Sequence, residues 1–475
     1  DSVANFVVDA GGMVFVNGTT DTLYITASSA VNGYMKFMAG AVRLKTTGSL
    51  TFGNGSTLEQ ASIASSIPNI TWEDGSSLLV TGVIGNTNIG ASGGASYYNI
   101  TWNCPSQTGN AHMSMHPPST SYDTTTTVRG DFNVLSTGVG RVQLCAPAAG
   151  TISQRRVSRV VFQGNINVLN GSVLAAHGTS SAYTDMYITV NGNINVRDSV
   201  YLTGPAIWQW SQLSISRGSQ GGSGTCTWNI KGNVYYGPKT ECRNSTDAPT
   251  TVATSKGKFV FCKNGTQNVY VDSLNNWSGP CNMQFGDGVV NTTINAINSK
   301  FIGSACDQRI KDKAIVILGP DGSIGGGDNS SAVKSNFAIE TGGTLITGSI
   351  NGLRATDHGS SGAVRVSGTR DFGTAANYEF NGTEEQELGS GFPASVNNLV
   401  INNAANVRAD SVSAFTVNGT LTVSSGDLKL NTCVATIGAS GILSETAGNT
   451  CNGKVEATRT VSTSTDESFG GIGLK

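Results

Sequence analysis

The sequence predicts an all-β fold, a parallel β-helix (β-solenoid) with inserted loops, on three observations. The first is alternation. ITVNGNINV at 188–196 and VFQGNINV at 161–168 put apolar residues at every second position, the period of a strand with one buried face. The second is recurrence. Weaker copies stand at VRGDFNV (128–134), NIKGNVYY (229–236) and FTVNGTLTV (415–423), each with an apolar residue two before a Gly. The third is composition. Gly supplies 61 of 475 residues and charged residues only 13%, about twice and about half of ordinary usage. No segment repeats apolar residues at i, i+3, i+4 and i+7, so almost no helix is expected. An array of β-sandwiches is the competing fold, but no Pro-rich linker, composition shift or charge run marks its boundaries.

The motif glycines fall at Gly130, Gly164, Gly192 and Gly232, at long and unequal intervals. A coil of such a helix needs about twenty-odd residues, so each interval is one coil with a loop inserted, or two coils. The chain reads as a single solenoid over 1–475: irregular coils over 1–127, coils with long inserted loops over 128–339, and more regular coils over 340–475. In the last part FTVNGTLTV, DLKL, CVATIG and SGILSE follow one another with short turns between them. No coil buries its apolar face alone, so inward Ile and Val must stack on those of the next coil. Gly and Asn are expected at the corners, where positive φ costs them least, with Asn side chains bonding amide to amide.

ETGGTLITGSINGL (340–353), GAVRVSGTRDFGTAANYEFNGTEEQELGSGFPASVNNLVINNAANV (362–407) and FTVNGTLTVSSGDLKL (415–430) carry a family likeness. From residue 340 on, the chain resembles the β-helical surface proteins of Bacteroidota and their relatives, which read "NYxFNGT…Q…G…P…VNNLxINN…V" and then "LTVNGTLTLxSGxL". The resemblance implies a parallel β-helix, export through the outer membrane, often by type IX secretion, and a place at the cell surface. No signal peptide precedes Asp1 and no sorting domain follows Lys475, so a processed chain or a portion of a longer one is expected.

An exported chain permits disulfides. The nine cysteines include no C-x-x-C pair. Cys226 and Cys242, Cys262 and Cys281, and Cys433 and Cys451 are neighbouring pairs, each spaced by close to one simple coil. A one-coil separation would bring their Cα atoms to about 5 Å, within disulfide reach. Cys104–Cys145 is the fourth expected pair and Cys306 is left over. Asp-Ser/Thr followed by Val, Leu or Thr occurs at Ser2, Thr22, Thr124, Ser199, Ser273 and Ser411, the form of Bacteroidota-type O-glycosylation sites.

A net charge of −2 without a basic cluster argues against nucleic acid and anionic membrane as partners. No apolar run approaches the length of a spanning helix, so no membrane insertion is expected. Other motifs are weak. Arg129-Gly130-Asp131 matches a cell-adhesion tripeptide but sits on the recurring turn. His112 and His116 are four apart beside a Pro pair, and Asp321 and Asp328 flank a Gly-rich loop without the repeat that binds calcium. QRIK at 308–311 resembles part of the polygalacturonase signature, whose companion motifs are missing; DHGSSG at 357 does not replace them. No paired carboxylates or Ser-His-Asp set stands out. No catalytic residue, metal or cofactor is therefore expected.

The expected function is a structural subunit of an extracellular homopolymeric filament, sheath or surface layer. Its partner is itself, head to tail, because both ends read as uncapped: NFVVDAGGMVFVNGT (5–19) is strand-like and SFGGIGLK (468–475) apolar and Gly-rich. The alternative is a surface adhesin, with Trp208 and Trp210 stacking on surface glycans. A polysaccharide-degrading enzyme comes last.

Overall fold

A computed structural model describes residues 2–17, 22–38, 41–44, 48–62, 67–89, 94–115, 123–145, 156–176, 184–197, 211–214, 225–242, 257–272, 282–301, 306–325, 334–355, 361–460 and 470–472. The chain is all-β, with no helix among these residues, and its strands pair in parallel as the coils of a β-helix. It divides into two compact units. The first comprises Asp1–Ala248, Ser255–Phe259 and Leu274–Gly279; the second comprises Pro249–Thr254, Val260–Ser273 and Pro280–Lys475.

In the first unit one sheet runs from Met13–Val16 through Tyr34–Phe37, Thr57–Gln60, Ser77–Val80, Asn99–Asn103, Phe132–Ser136, Ile166–Val168 and Ile194–Val196 to Val234–Tyr236. Each coil adds one strand. Met13 pairs with Tyr34, Tyr34 with Thr57, Thr57 with Ser77 and Ser77 with Asn99, in nearly equal steps along the chain. The first coils are thus the evenly spaced ones of this unit, not the irregular ones. Ile100 then pairs with Phe132, Phe132 with Ile166, Ile166 with Ile194 and Ile194 with Val234, in longer and unequal steps. Each long interval between motif glycines is therefore a single coil. The described strands keep their column through these longer steps, with one register shift at Trp102/Asn103. A second sheet holds Asp123–Val128, Arg156–Phe162, Thr184–Val190 and Cys226–Ile230, and a third holds Asn110–His112, Arg141–Cys145, Ser172–Ala176, Ser211–Ser214 and Thr240–Glu241.

The core follows from this register. Met35, Leu58, Leu78, Ile100, Phe132, Ile166, Ile194 and Val234 are successive partners in one column, and all are buried. Aromatic rings stack likewise, Phe52 on Trp72 at 5.1 Å and Trp72 on Tyr97 at 5.7 Å, close to the strand spacing of about 4.8 Å.

The corner glycines serve a different purpose from the expected one. Gly130, Gly164, Gly192 and Gly232 lie outside the positive-φ region. A Cβ on Gly164, Gly192 or Gly232 would collide with the carbonyl oxygen of the glycine one coil earlier. They are glycines because the backbones of successive corners approach too closely for a side chain. Positive φ is used at other turns, for example Gly55, Gly75 and Gly342.

Two polar columns run beside these glycines. On the outward face of the sheet, Asn167 Nδ2 donates to Asn133 Oδ1 and Asn195 Nδ2 to Asn167 Oδ1, both at 2.8 Å, which is the expected amide ladder. At the corner the partner is the backbone. The side-chain oxygens of Asn99, Asp131, Asn165 and Asn193 accept the N–H of Asp131, Asn165, Asn193 and Asn233, at 2.7–3.0 Å.

In the second unit a sheet stacks Gly265–Val271, Thr292–Asn295, Ala314–Leu318, Thr344–Thr347, Asn377–Phe380, Asn398–Asn402, Thr420–Ser425 and Ile442–Glu445. Its buried column is Ile294, Val316, Leu345, Tyr378, Leu399, Leu421 and Leu443. From Asn377 the steps become nearly equal, as Asn377 pairs with Asn398, Leu399 with Leu421 and Leu421 with Leu443.

The disulfide expectation is corrected by the same registers: among the described residues no two cysteines are joined. Cys226 opens a strand of the second sheet, whereas Cys242 follows Thr240–Glu241 in the third. The coil that separates Ile194 from Val234 is far longer than the spacing of these two cysteines, so they do not face one another across it. Cys104 follows the first-sheet strand Asn99–Asn103, and Cys145 ends the third-sheet strand Arg141–Cys145. Cys451 pairs in register with Leu428; Cys433, on the same partner strand, is near enough to add to burial and Glu445 in pushing the Cys451 thiol up, but the two are not joined. Cys262 follows Gly257–Phe261, and its expected partner Cys281 lies outside the described residues. Cys306, buried, donates its backbone N–H to Ser335 Oγ at 3.1 Å.

Candidate functional site

The end rungs of the two units are where a stacked structure can make new contacts. At the N-terminal rung, Met13–Val16 pairs with Tyr34–Phe37, and no described strand pairs with its other edge. The inward Val14 and Val16 are half-buried, whereas their partners Met35 and Phe37 are fully buried. On the flank, Val7, Met13 and Phe15 are 63%, 60% and 54% exposed, with Phe15 edge-on to Tyr34 at 6.5 Å. A buried carboxylate stands two coils further in. Glu59 pairs with Lys36 Nζ at 2.9 Å and accepts from Thr81 Oγ1 at 2.6 Å and from the Tyr34 hydroxyl.

At the C-terminal end Cys451–Ala457 stacks on Leu428–Ile437, and no described strand pairs with its other edge. Leu443, in the last strand of the buried column, donates its N–H to Gly470 O at 2.5 Å. Arg459 donates from Nη1 to Gly438 O at 2.7 Å and from Nη2 to Gly441 O at 2.5 Å. Arg459 and Gly470 were not anticipated from the sequence. Arg459 stands in no motif, and Gly470 lies in the SFGGIGLK stretch that was read as an open end; both act on residues about one coil away.

The motifs singled out in the sequence resolve one by one. Arg129 pairs with Asp74, donates to the Trp72 carbonyl and lies over the Tyr98 ring at 5.5 Å. Gly130 is packed against the Asn99 side chain, and Asp131 Oδ1 accepts the Asn165 N–H at 2.7 Å. All three residues of the adhesion-like tripeptide are thus held by the fold. His112 is half-buried in a third-sheet strand, and burial lowers its pKa; His116 lies outside the described residues. Asp321 is exposed in a turn, and Asp328, Trp208, Trp210, Asp357 and His358 lie outside the described residues. Within QRIK, Gln308 is buried, Arg309 pairs with Asp307 at 2.6 Å and Lys311 with Glu340 at 2.6 Å.

Of the glycosylation candidates, Ser411 is exposed in a turn and Thr124 is half-buried in the strand Asp123–Val128. Ser2 and Thr22 fall in the short strands Ser2–Val3 and Thr22–Ile25; Ser199 and Ser273 lie outside the described residues. Asp410, beside Ser411, accepts from Asn431 and Arg408, which hold its carboxyl below the ordinary range. Arg408 also meets Glu385 at 3.0 Å and Glu387 at 3.1 Å, and Lys429 meets Glu385 at 2.7 Å. With Arg354 Nη1 3.9 Å from Glu387, three cations face the three carboxylates of this surface cluster.

No family model, no curated protein and no solved structure matches this chain.

Proposed function

We propose that the protein is a structural subunit of an extracellular homopolymer, a filament, sheath or surface layer, in which copies add head to tail. The observation that carries this reading is the N-terminal rung, whose inward Val14 and Val16 stay half-buried while every later member of their columns up to Val234 and Tyr236 is buried. In a parallel stack the leading edge of one coil offers the groups that the trailing edge of another requires. Contact between two different ends is heterologous and propagates, with backbone hydrogen bonds supplying affinity. The extracellular placement rests on the resemblance that begins at residue 340. Sugar on the exposed Ser411 belongs to the same reading, and mass spectrometry of protein from its natural source tests it: an unmodified Ser411 removes that element.

The test of assembly compares the parent chain with Val14→Lys by sedimentation velocity and negative-stain microscopy. Linear polymers from the parent and strand-rich monomers from the variant are expected. Polymers from both would overturn the reading. So would a chain that stays monomeric at high concentration, and a surface adhesin would then take its place.

A further inference from the structure

We infer that Arg365 and Ser367, in the second unit, form a binding site for an oxyanion, a carboxylate or sulfate group. The site goes beyond the head-to-tail reading and does not depend on it.

The fold fixes where these two residues stand. Phe301 pairs with Ile324, and Ile324 bridges to Val364, so the three stack as one buried column. Val366 is buried as well. Arg365 and Ser367 alternate with these valines, are half-buried and share the outward side. Arg365 donates its backbone N–H to Ile324 O at 2.7 Å, which ties it to the coil before.

The Arg365 guanidinium is oriented but not paired. Its Nε donates to Gly362 O at 3.1 Å, a neutral acceptor that sets the plane of the fork. Its Nη1 and Nη2 have no hydrogen bond and no ion pair among the described residues. Burial lowers its pKa, and the charge of Asp321 opposes this only in part. A half-buried cation carries a desolvation cost that a bound anion would offset. Two more arginines stand close by. Arg370 donates to Val366 O and Arg354 O, and a Cβ on Gly362 would lie 3.0 Å from Arg354 Cγ. Glu387, 3.9 Å from Arg354 Nη1, is shared with Arg408 at 3.1 Å. Three arginines around Gly362 and Val366 favour a bound anion over a bound cation.

Ser367 gives an independent sign. Its Oγ is shielded from solvent and has no hydrogen-bond partner among the described residues. A covered hydroxyl left without a partner is unfavourable. Rotation about its Cα–Cβ bond turns the O–H into a donor for an oxyanion held by the Arg365 fork. Carboxylate and sulfate both match such a fork through two parallel N–H···O bonds.

Calorimetric titration of the full chain at low salt tests the site. The probes are sodium sulfate and an oligogalacturonate, with a neutral oligosaccharide of equal length as control. The parent should bind a probe at one saturable site. Arg365→Gln should weaken binding by about tenfold or more, and Ser367→Ala by about fivefold. Arg365→Lys, which keeps the charge and loses the fork, should fall between the parent and Arg365→Gln. Arg309→Gln, at an arginine already paired with Asp307, should bind as the parent does. Oligogalacturonate binding that sulfate displaces assigns the group to a glycan, and sulfate binding alone assigns it to a free ion. Each supports the site when Arg365→Gln weakens it. Absence of saturable binding of either probe to the parent overturns the site, as does equal binding by the parent and Arg365→Gln. Should Arg365→Gln lose its strand signal in circular dichroism, Arg365→Lys and Ser367→Ala decide, and parent-like binding by both overturns the site.

Discussion

Asn165 Oδ1 accepts the backbone N–H of Asn193, one coil on, at 2.9 Å. Each corner side chain from Asn99 to Asn193 thus completes the backbone hydrogen bonding of the coil that follows. Asn165→Ala would leave the Asn193 N–H without its acceptor, at a cost of about 1–2 kcal/mol. Asn167→Ala, on the outward ladder, removes bonds that water replaces and should cost less. Chemical denaturation of the two variants checks the order, and equal losses would deny the corner column its special weight.

The glycine column gives a second expectation. Gly192→Ala drives a Cβ into the Gly164 carbonyl, which must shift the backbone of one coil or the next. A loss of about 1–3 kcal/mol is expected, as for overpacking elsewhere. Gly55 holds a positive φ with open space around it. Gly55→Asn should therefore be tolerated better than Gly192→Ala when thermal unfolding is compared.

The thiols should be inert in the folded chain. Burial pushes Cys104 up to about 11 and Cys145 up to about 12, so neither forms thiolate near neutral pH. Iodoacetamide at mildly alkaline pH should leave both unlabelled until the protein is unfolded. Peptide mapping without reductant should also find Cys226–Cys242, Cys433–Cys451 and Cys104–Cys145 unlinked; a Cys226–Cys242 or Cys104–Cys145 bridge would contradict the placement of these residues on different sheets.

Acid should weaken the first unit through His112. Burial is the main cause of its lowered pKa, and a backbone contact with Cys145 partly opposes it. The unfolded chain, with an ordinary histidine near 6.5, then binds the proton more readily than the folded one. This contribution is fully present above about pH 6.5 and declines as pH falls from there towards the depressed folded value. His112→Gln should flatten that part of the stability profile. An unchanged slope would show that His112 does not set it.

The strands and their buried faces could be read directly. In ITVNGNINV the inward Ile188, Val190, Ile194 and Val196 are the residues that alternation selects, and all four are buried. This reading works because a strand with one buried face writes its period into neighbouring residues. The spacing of cysteines misled for the converse reason. Loops of different length enter between strands, so a given separation along the chain corresponds to no fixed rise along the helix.

Alternation, glycine content and the recurring turn were enough to specify an all-β parallel stack, since they record local geometry and the burial of one face. Which residues meet was decided by register, after coils of very different length had closed, as between Thr57 and Ser77 on the one hand and Ile194 and Val234 on the other. Gly192 against Gly164, Asn165 against Asn193 and Arg459 against Gly441 are contacts across a coil. No short window of the chain contains both partners of such a contact, and the inserted loops vary the distance between them.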